Sequence, residues 1–129
     1  MRSVCDVPHS NHTVCVLDDE PSVLRALGRL LMSDGFRVLK FCEPQVLLDH
    51  ARNQLVEFAV IDIRMPGMSG LEVLAELQTV SPDARVIVIT GESDPSHKAA
   101  ALAGGACAFF LKPFDDELFL QAVRKAISA

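Results

Sequence analysis

The sequence predicts an α/β domain, a five-stranded parallel sheet in the order 2-1-3-4-5 with helices on both faces. Three observations carry that prediction. Short β-branched and aromatic runs alternate with longer amphipathic segments. Most of the runs carry apolar residues on both faces, which is what a strand covered on both sides requires. They begin at residues 13, 37, 58, 85 and 108, at intervals of 24, 21, 27 and 23, room for a strand and a crossover helix. Right-handed crossovers leave few topologies for five such units, and 2-1-3-4-5 is the common small one.

The runs are TVCVL (13–17), RVLKF (37–41), FAVI (58–61), RVIVI (85–89) and AFFL (108–111). After the first, EPSVLRALGRLLMSDG places Pro21 in a first helical turn, where a missing N–H costs nothing. It carries an apolar stripe Val23-Leu27-Leu30-Leu31 and stops at Gly35. EPQVLLDHARN repeats the opening at Glu43-Pro44. SGLEVLAELQTV starts at Ser69, a cap, and presents Leu71, Leu74 and Leu77. SDPSHKAAALAGG has Asp94 as cap, Pro95 in the first turn and Gly104-Gly105 as a left-handed stop. Its small residues imply either a weakly anchored helix or close packing on a neighbouring strand. The last helix, DDELFLQAVRKAIS, opens with acids and closes with Arg124-Lys125, matching the helix dipole. Its stripe Leu118/Phe119, Ala122/Val123 and Ala126/Ile127 faces a core.

A chain of 129 residues suits one domain, 13–129, preceded by a loose arm, 1–12. Half the residues are hydrophobic and 22% are charged, as in ordinary globular proteins. A net charge of −5, from 12 Lys+Arg against 17 Asp+Glu, argues against direct nucleic-acid binding. No apolar stretch reaches about 18 residues, so no membrane span is expected, and the N-terminus lacks the apolar core of a signal peptide. The cysteines at 5, 15, 42 and 107 form no CxxC pair. Cys15 and Cys107 read as reduced core residues of a cytoplasmic protein. Cys5, His9, His12 and Cys15 have a metal-like spacing, but a strand would bury Cys15 and leave the others on the arm, so no zinc is assigned. His50 and His97 read as solvated surface residues.

In such sheets ligands bind beyond the carboxyl ends of the strands, where strand order reverses. Asp18 and Asp19 follow the first strand, Asp62 ends the third, Thr90-Gly91 the fourth and Lys112-Pro113 the fifth. Alone, each is a cap, a turn residue or a solvated lysine. Together the fold brings them to one edge. Three carboxylates and one ammonium sum to −3 + 1 = −2, which repels itself unless a divalent cation is present. Oxygen donors without His or Cys select Mg²⁺. An ionised aspartate beside Mg²⁺, a lysine and a hydroxyl is what attack on a phosphoryl group needs.

The stretches VLDDEPSVLRAL, VIDIRMPGMSG, VIVITGES and FFLKPF, in this order and spacing, resemble the receiver domains of bacterial response regulators. The similarity extends to single-domain chemotaxis-type and nitrogen-fixation-type receivers and runs from about Thr13 to Ser128. It implies the flavodoxin-like (βα)5 fold, with Asp62 phosphorylated by a histidine kinase or phosphotransfer protein. Asp18, Asp19, Asp62 and the backbone carbonyl of Arg64 would hold Mg²⁺. Lys112 would contact the phosphoryl group, with backbone contacts from Ile63 and Gly91. Thr90 and Phe109 would be the switch pair, and Lys112–Pro113 a cis peptide. Departures are modest: Gly91 where alanine is commoner, Ser69 where aspartate or asparagine is common, and a bulky Arg64.

These features imply a phosphoacceptor signalling switch, self-phosphorylating and slowly self-dephosphorylating rather than a turnover enzyme. Its partner affinity would change through helix 4, strand 5 and helix 5, the face at which a homodimer would form; the downstream partner or output domain stays open. A phosphorylation-independent interaction module would not need Asp62, Thr90 and Lys112 intact. A phosphatase with an aspartate nucleophile commonly needs a second acid two residues on, where Arg64 stands. Arg64 and Glu92, two residues after Asp62 and Thr90, are expected to face each other across the site entrance.

Overall fold

The computed structural model describes residues 12–128. The strands are β1 (Thr13–Leu17), β2 (Arg37–Phe41), β3 (Phe58–Asp62), β4 (Arg85–Thr90) and β5 (Ala108–Leu111). The helices are α1 (Pro21–Ser33), α2 (Pro44–Asn53), α3 (Gly70–Val80), α4 (Pro95–Ala103) and α5 (Asp116–Ser128). The sheet order is β2-β1-β3-β4-β5, every pair parallel. The five-strand order expected from the spacing is the one found. Among the described residues no helix is long and apolar enough to cross a membrane.

Alternate side chains of the central strands feed two cores. Val14, Val16, Phe58, Val60, Ile87 and Ile89 pack under α1 and α5. Cys15, Leu17, Ala59, Ile61, Val86 and Val88 pack under α2, α3 and α4. The helix punctuation reads as expected: Pro21, Pro44 and Pro95 stand in first turns, and Gly35 and Gly105 take positive φ beyond helix ends. Ser69 caps α3 in a capping box, accepting from the Glu72 N–H while the Glu72 side chain accepts from the Ser69 N–H.

Four sequence readings need correction. In α1 the buried row includes Leu24, with Val23 only half-buried. In α5 it runs through Phe119, Leu120, Val123 and Ala126, and Leu118 is 58% exposed. Cys107 is exposed, because it stands in the bend before edge strand β5. His50 is half-buried, its ring 5.5 Å from that of Phe41. Of the metal-like quartet, Cys5 and His9 lie outside the described residues, as does the arm up to residue 11. His12 pairs with Glu57 at 2.8 Å and Cys15 is buried.

Gly70 couples the fold to the site. Its N–H donates to the Ile63 carbonyl at 2.8 Å, seating the start of α3 on the end of β3. A Cβ there would run into the backbone of Asp62 and Ile63, neither of which is a flexible side-chain end. Gly70→Ala is therefore expected to lower stability by about 1–3 kcal/mol, the usual range for overpacking. Thermal denaturation measures it; an unchanged midpoint would show that the backbone yields freely.

Candidate functional site

Parallel strands all present their carboxyl ends on one edge, so β1, β3, β4 and β5 deliver their terminal residues to a common mouth. Asp18, immediately after β1, is fully buried. Its Oδ1 accepts the Glu20 N–H at 2.9 Å, and its Oδ2 lies 3.2 Å from Lys112 Nζ. Asp62 is 3% exposed. Its Oδ1 lies 3.7 Å from the same ammonium, beyond hydrogen-bond range, and is buried without a hydrogen-bond partner. Carboxylate oxygens of Asp18, Asp19 and Asp62 fall within 4.8 Å of one another. Glu20, a residue the motif reading passed over, adds a fourth carboxylate 3.8 Å from Lys112.

Burial raises the Asp62 pKa to about 6, and the Asp18 charge pushes the same way. Lys112 and the Arg64 backbone N–H oppose that shift. Asp18 is raised too, again by burial, against the Glu20 N–H and Lys112. One lysine thus faces several acids in a partly dry pocket. The residues fit a hard divalent cation: an all-carboxylate set, an orphaned buried oxygen on Asp62, and excess negative charge.

The remaining residues line the same mouth. Thr90 is fully buried; its hydroxyl accepts the Glu92 N–H at 3.2 Å and its carbonyl accepts the Lys112 N–H at 2.7 Å. The Lys112–Pro113 bond is cis. Gly91 lines the hollow over Asp62 and has open space where a Cβ would stand. Phe109 is half-buried against the core under α2, α3 and α4. Ile63 departs from expectation: its N–H is committed to the Ile89 carbonyl at 3.0 Å in the β3–β4 ladder, so it cannot serve a phosphoryl group. The Arg64 N–H is the one beside the Asp62 carboxylate. Arg64 Nη1 and Glu92 Oε2 pair at 2.8 Å. His97, read as a surface residue, turns its ring inward beside Arg64 and Glu92, its Nδ1 buried and unpartnered. A hollow of about 790 Å³ opens from Asp62 and Lys112 and runs between α1 and the β5–α5 loop.

Residues 14–124 match the response regulator receiver domain. This chain belongs to that family. The receiver is 36% identical over 114 residues to the response regulator protein TodT of Pseudomonas putida, covering 88% of this chain and 50% of TodT. It is 39% identical over 114 residues to the transcriptional regulatory protein FixJ of Azorhizobium caulinodans, covering 88% and 54%. The chain therefore spans about half the length of the curated relatives it matches. A solved response regulator from Burkholderia pseudomallei, described with a phosphorylated aspartic acid, calcium ion and citrate, superposes with a TM-score of 0.80 at 29% identity. That match covers 91% of this chain and 69% of the other. Receiver domains are signalling modules of two-component systems, and the acidic pocket here fits Mg²⁺ binding.

The raised Asp62 pKa has a consequence for the metal-free receiver. Its folded carboxyl holds a proton that the unfolded one releases near pH 4. Stability from this group is thus full below pH 4 and lost as pH rises through about 6. Asp62→Asn should therefore stabilise the metal-free protein at pH 7.5, by up to about 3 kcal/mol from a shift of about two units. The gain should vanish near pH 4. Chemical denaturation at both pH values measures it, and equal gains at both would refute the charge assignment.

Proposed function

We propose that this receiver is a phosphoacceptor switch that takes a phosphoryl group onto Asp62 from a histidine kinase or phosphotransfer protein in the cytoplasm. The observation that carries the reading is the buried Asp62 oxygen without a hydrogen-bond partner, facing Lys112 at the head of an open hollow. An Asp62 oxygen attacks phosphorus, forming the acyl phosphate P–O bond as the P–N bond of the donor phosphohistidine breaks. The electron pair of that bond returns to the imidazole nitrogen. The Lys112 ammonium faces the transferring oxygens, with backbone N–H groups of Arg64 and Gly91 about them. Asp18, Asp19, Asp62 and the Arg64 carbonyl would hold Mg²⁺, which supplies charge neutralisation at those oxygens. The phosphorylated aspartic acid and cation in the Burkholderia pseudomallei regulator support the same chemistry here.

The output follows from weak anchoring. In α4 only Ala101 is buried. Thr90 would leave its bond to the Glu92 N–H for the phosphoryl group, and Phe109 would fill the space it vacates. The face of α4, β5 and α5, where Leu102, Leu111 and Leu118 are exposed, would then change its affinity for a partner or a second copy. Incubation with acetyl phosphate and Mg²⁺ should add one phosphoryl mass, and Asp62→Asn or chelation of the metal should abolish it. Stoichiometric labelling of Asp62→Asn would sink the assignment.

Arg64 and Glu92 close over the entrance as an ion pair, obstructing the line along which water would reach the phosphoryl group. Both are well exposed, so the pair itself is worth at most about 1 kcal/mol. Arg64→Ala should accordingly shorten the phosphoryl lifetime by up to about fivefold, the rate equivalent of that energy. Glu92→Ala and the double mutant, timed in the same buffer, complete the cycle. A lifetime unchanged or lengthened in Arg64→Ala would show the arginine to be merely solvated.

A further inference from the structure

His97 holds a polar atom that the resting structure leaves idle. The residue stands in the first turn of α4, and its side chain is 23% exposed. Its Nδ1 is buried and, among the described residues, has no hydrogen-bond partner. Its Nε2 faces the Asp94 carboxylate at 3.7 Å. That carboxylate draws the proton of the neutral ring to Nε2 and leaves Nδ1 an acceptor. A buried acceptor without a donor is costly and calls for a reason.

The loop between β4 and α4 holds the matching donor. The Glu92 N–H now donates to the Thr90 hydroxyl at 3.2 Å. Once Thr90 turns that hydroxyl to a phosphoryl group, this part-buried N–H is stranded. Around it the N–H groups of Asp94, Ser96 and His97 are already spent. They donate to the Glu92 carbonyl at 3.1 Å, Asp94 Oδ1 at 2.9 Å and the Asp94 carbonyl at 3.0 Å. Glu92 and His97 line one hollow of about 510 Å³, beside Arg64 and Ser69, so the freed donor and the idle acceptor share a wall. We propose that His97 is a positioning residue of the switch: as Thr90 departs, the Glu92 N–H passes to His97 Nδ1. The new bond ties the end of β4 to the first turn of α4, which is held by burial of Ala101 alone and therefore follows. This rests on the phosphoacceptor reading and adds the route by which that site reaches α4.

The test compares wild type, His97→Phe and His97→Asn. Phenylalanine keeps a ring and loses the acceptor; asparagine keeps an acceptor oxygen near the place of Nδ1. In wild type labelled with ¹⁵N at histidine, side-chain NMR at about pH 8 should show Nδ1 of His97 as a bare acceptor. Addition of Mg²⁺ and beryllofluoride, a phosphoryl mimic, should move that resonance upfield to the hydrogen-bonded position while Nε2 keeps its proton. Beryllofluoride should saturate His97→Phe at a concentration roughly fivefold higher than wild type, the equivalent of one hydrogen bond, and His97→Asn within about twofold. Stoichiometric labelling of His97→Phe by saturating acetyl phosphate certifies its fold and its site; should that variant not fold, the wild-type nitrogen shift decides alone. An Nδ1 resonance indifferent to beryllofluoride, a proton on Nδ1 in the activated state, or wild-type saturation of His97→Phe would each overturn the proposal while leaving Asp62 as phosphoacceptor. Equal weakening of both variants would show packing alone and overturn it too. A wild type that neither takes label from acetyl phosphate nor responds to beryllofluoride would overturn the phosphoacceptor reading along with it.

Discussion

A single ammonium, Lys112, shared between two buried carboxylates is the constraint on which the site depends. Asp18 Oδ2 at 3.2 Å and Asp62 Oδ1 at 3.7 Å both face it, and neither acid has enough positive charge to itself. Such an arrangement survives only where the surrounding structure holds the three side chains in place. β1, β3 and β5 do so because a parallel sheet ends its strands in one plane, and their apolar interiors are locked by packing. The cost of crowding carboxylates there is the same quantity that makes a divalent cation welcome: the site is poised for charge compensation rather than satisfied by its own residues.

The two faces of the sheet are unequally secured. Arg124 of α5 binds both oxygens of Asp34, just past α1, at 2.8 and 2.7 Å, and also reaches Glu117 at 2.9 Å. That bidentate clasp joins α1 to α5 above a core that includes three stacked or tilted phenylalanines. Across the sheet, α4 has one buried residue and mostly alanine on its surface. A displacement that begins at Thr90 meets least resistance toward α4, because few apolar contacts would have to be broken there.

Much of this was legible in one dimension. The strand intervals, the proline and glycine punctuation and the polar residue at each strand end sufficed for the topology, and hence for the neighbourhood of Asp18, Asp19, Asp62, Thr90 and Lys112. Errors came where a residue's environment depends on what lies across from it. Cys107 reads as apolar, yet the edge position of β5 leaves it in solvent. The α5 stripe in the sequence starts one residue too early, at Leu118, because neighbouring apolar residues make the helix phase ambiguous until a partner surface selects it. Sequence position offers the Ile63 N–H to a ligand, but the β3–β4 register claims it. Gly70 carried no signal beyond its place after the cap, since the obstacle to a side chain there is backbone from β3.

Sequence alone determined the order and type of the ten elements and the identity of the acids, hydroxyl and lysine, because hydrophobic period and strand-end chemistry are local properties. Tertiary structure decided which oxygens are orphaned, which N–H groups are already spent and how far Asp62 is pushed toward pH 6. It also decided that Arg64 and Glu92 close on each other. Those outcomes turn on distances between residues far apart in the chain, on a scale of a few ångströms, and electrostatic energies at that range depend on burial that no single segment specifies.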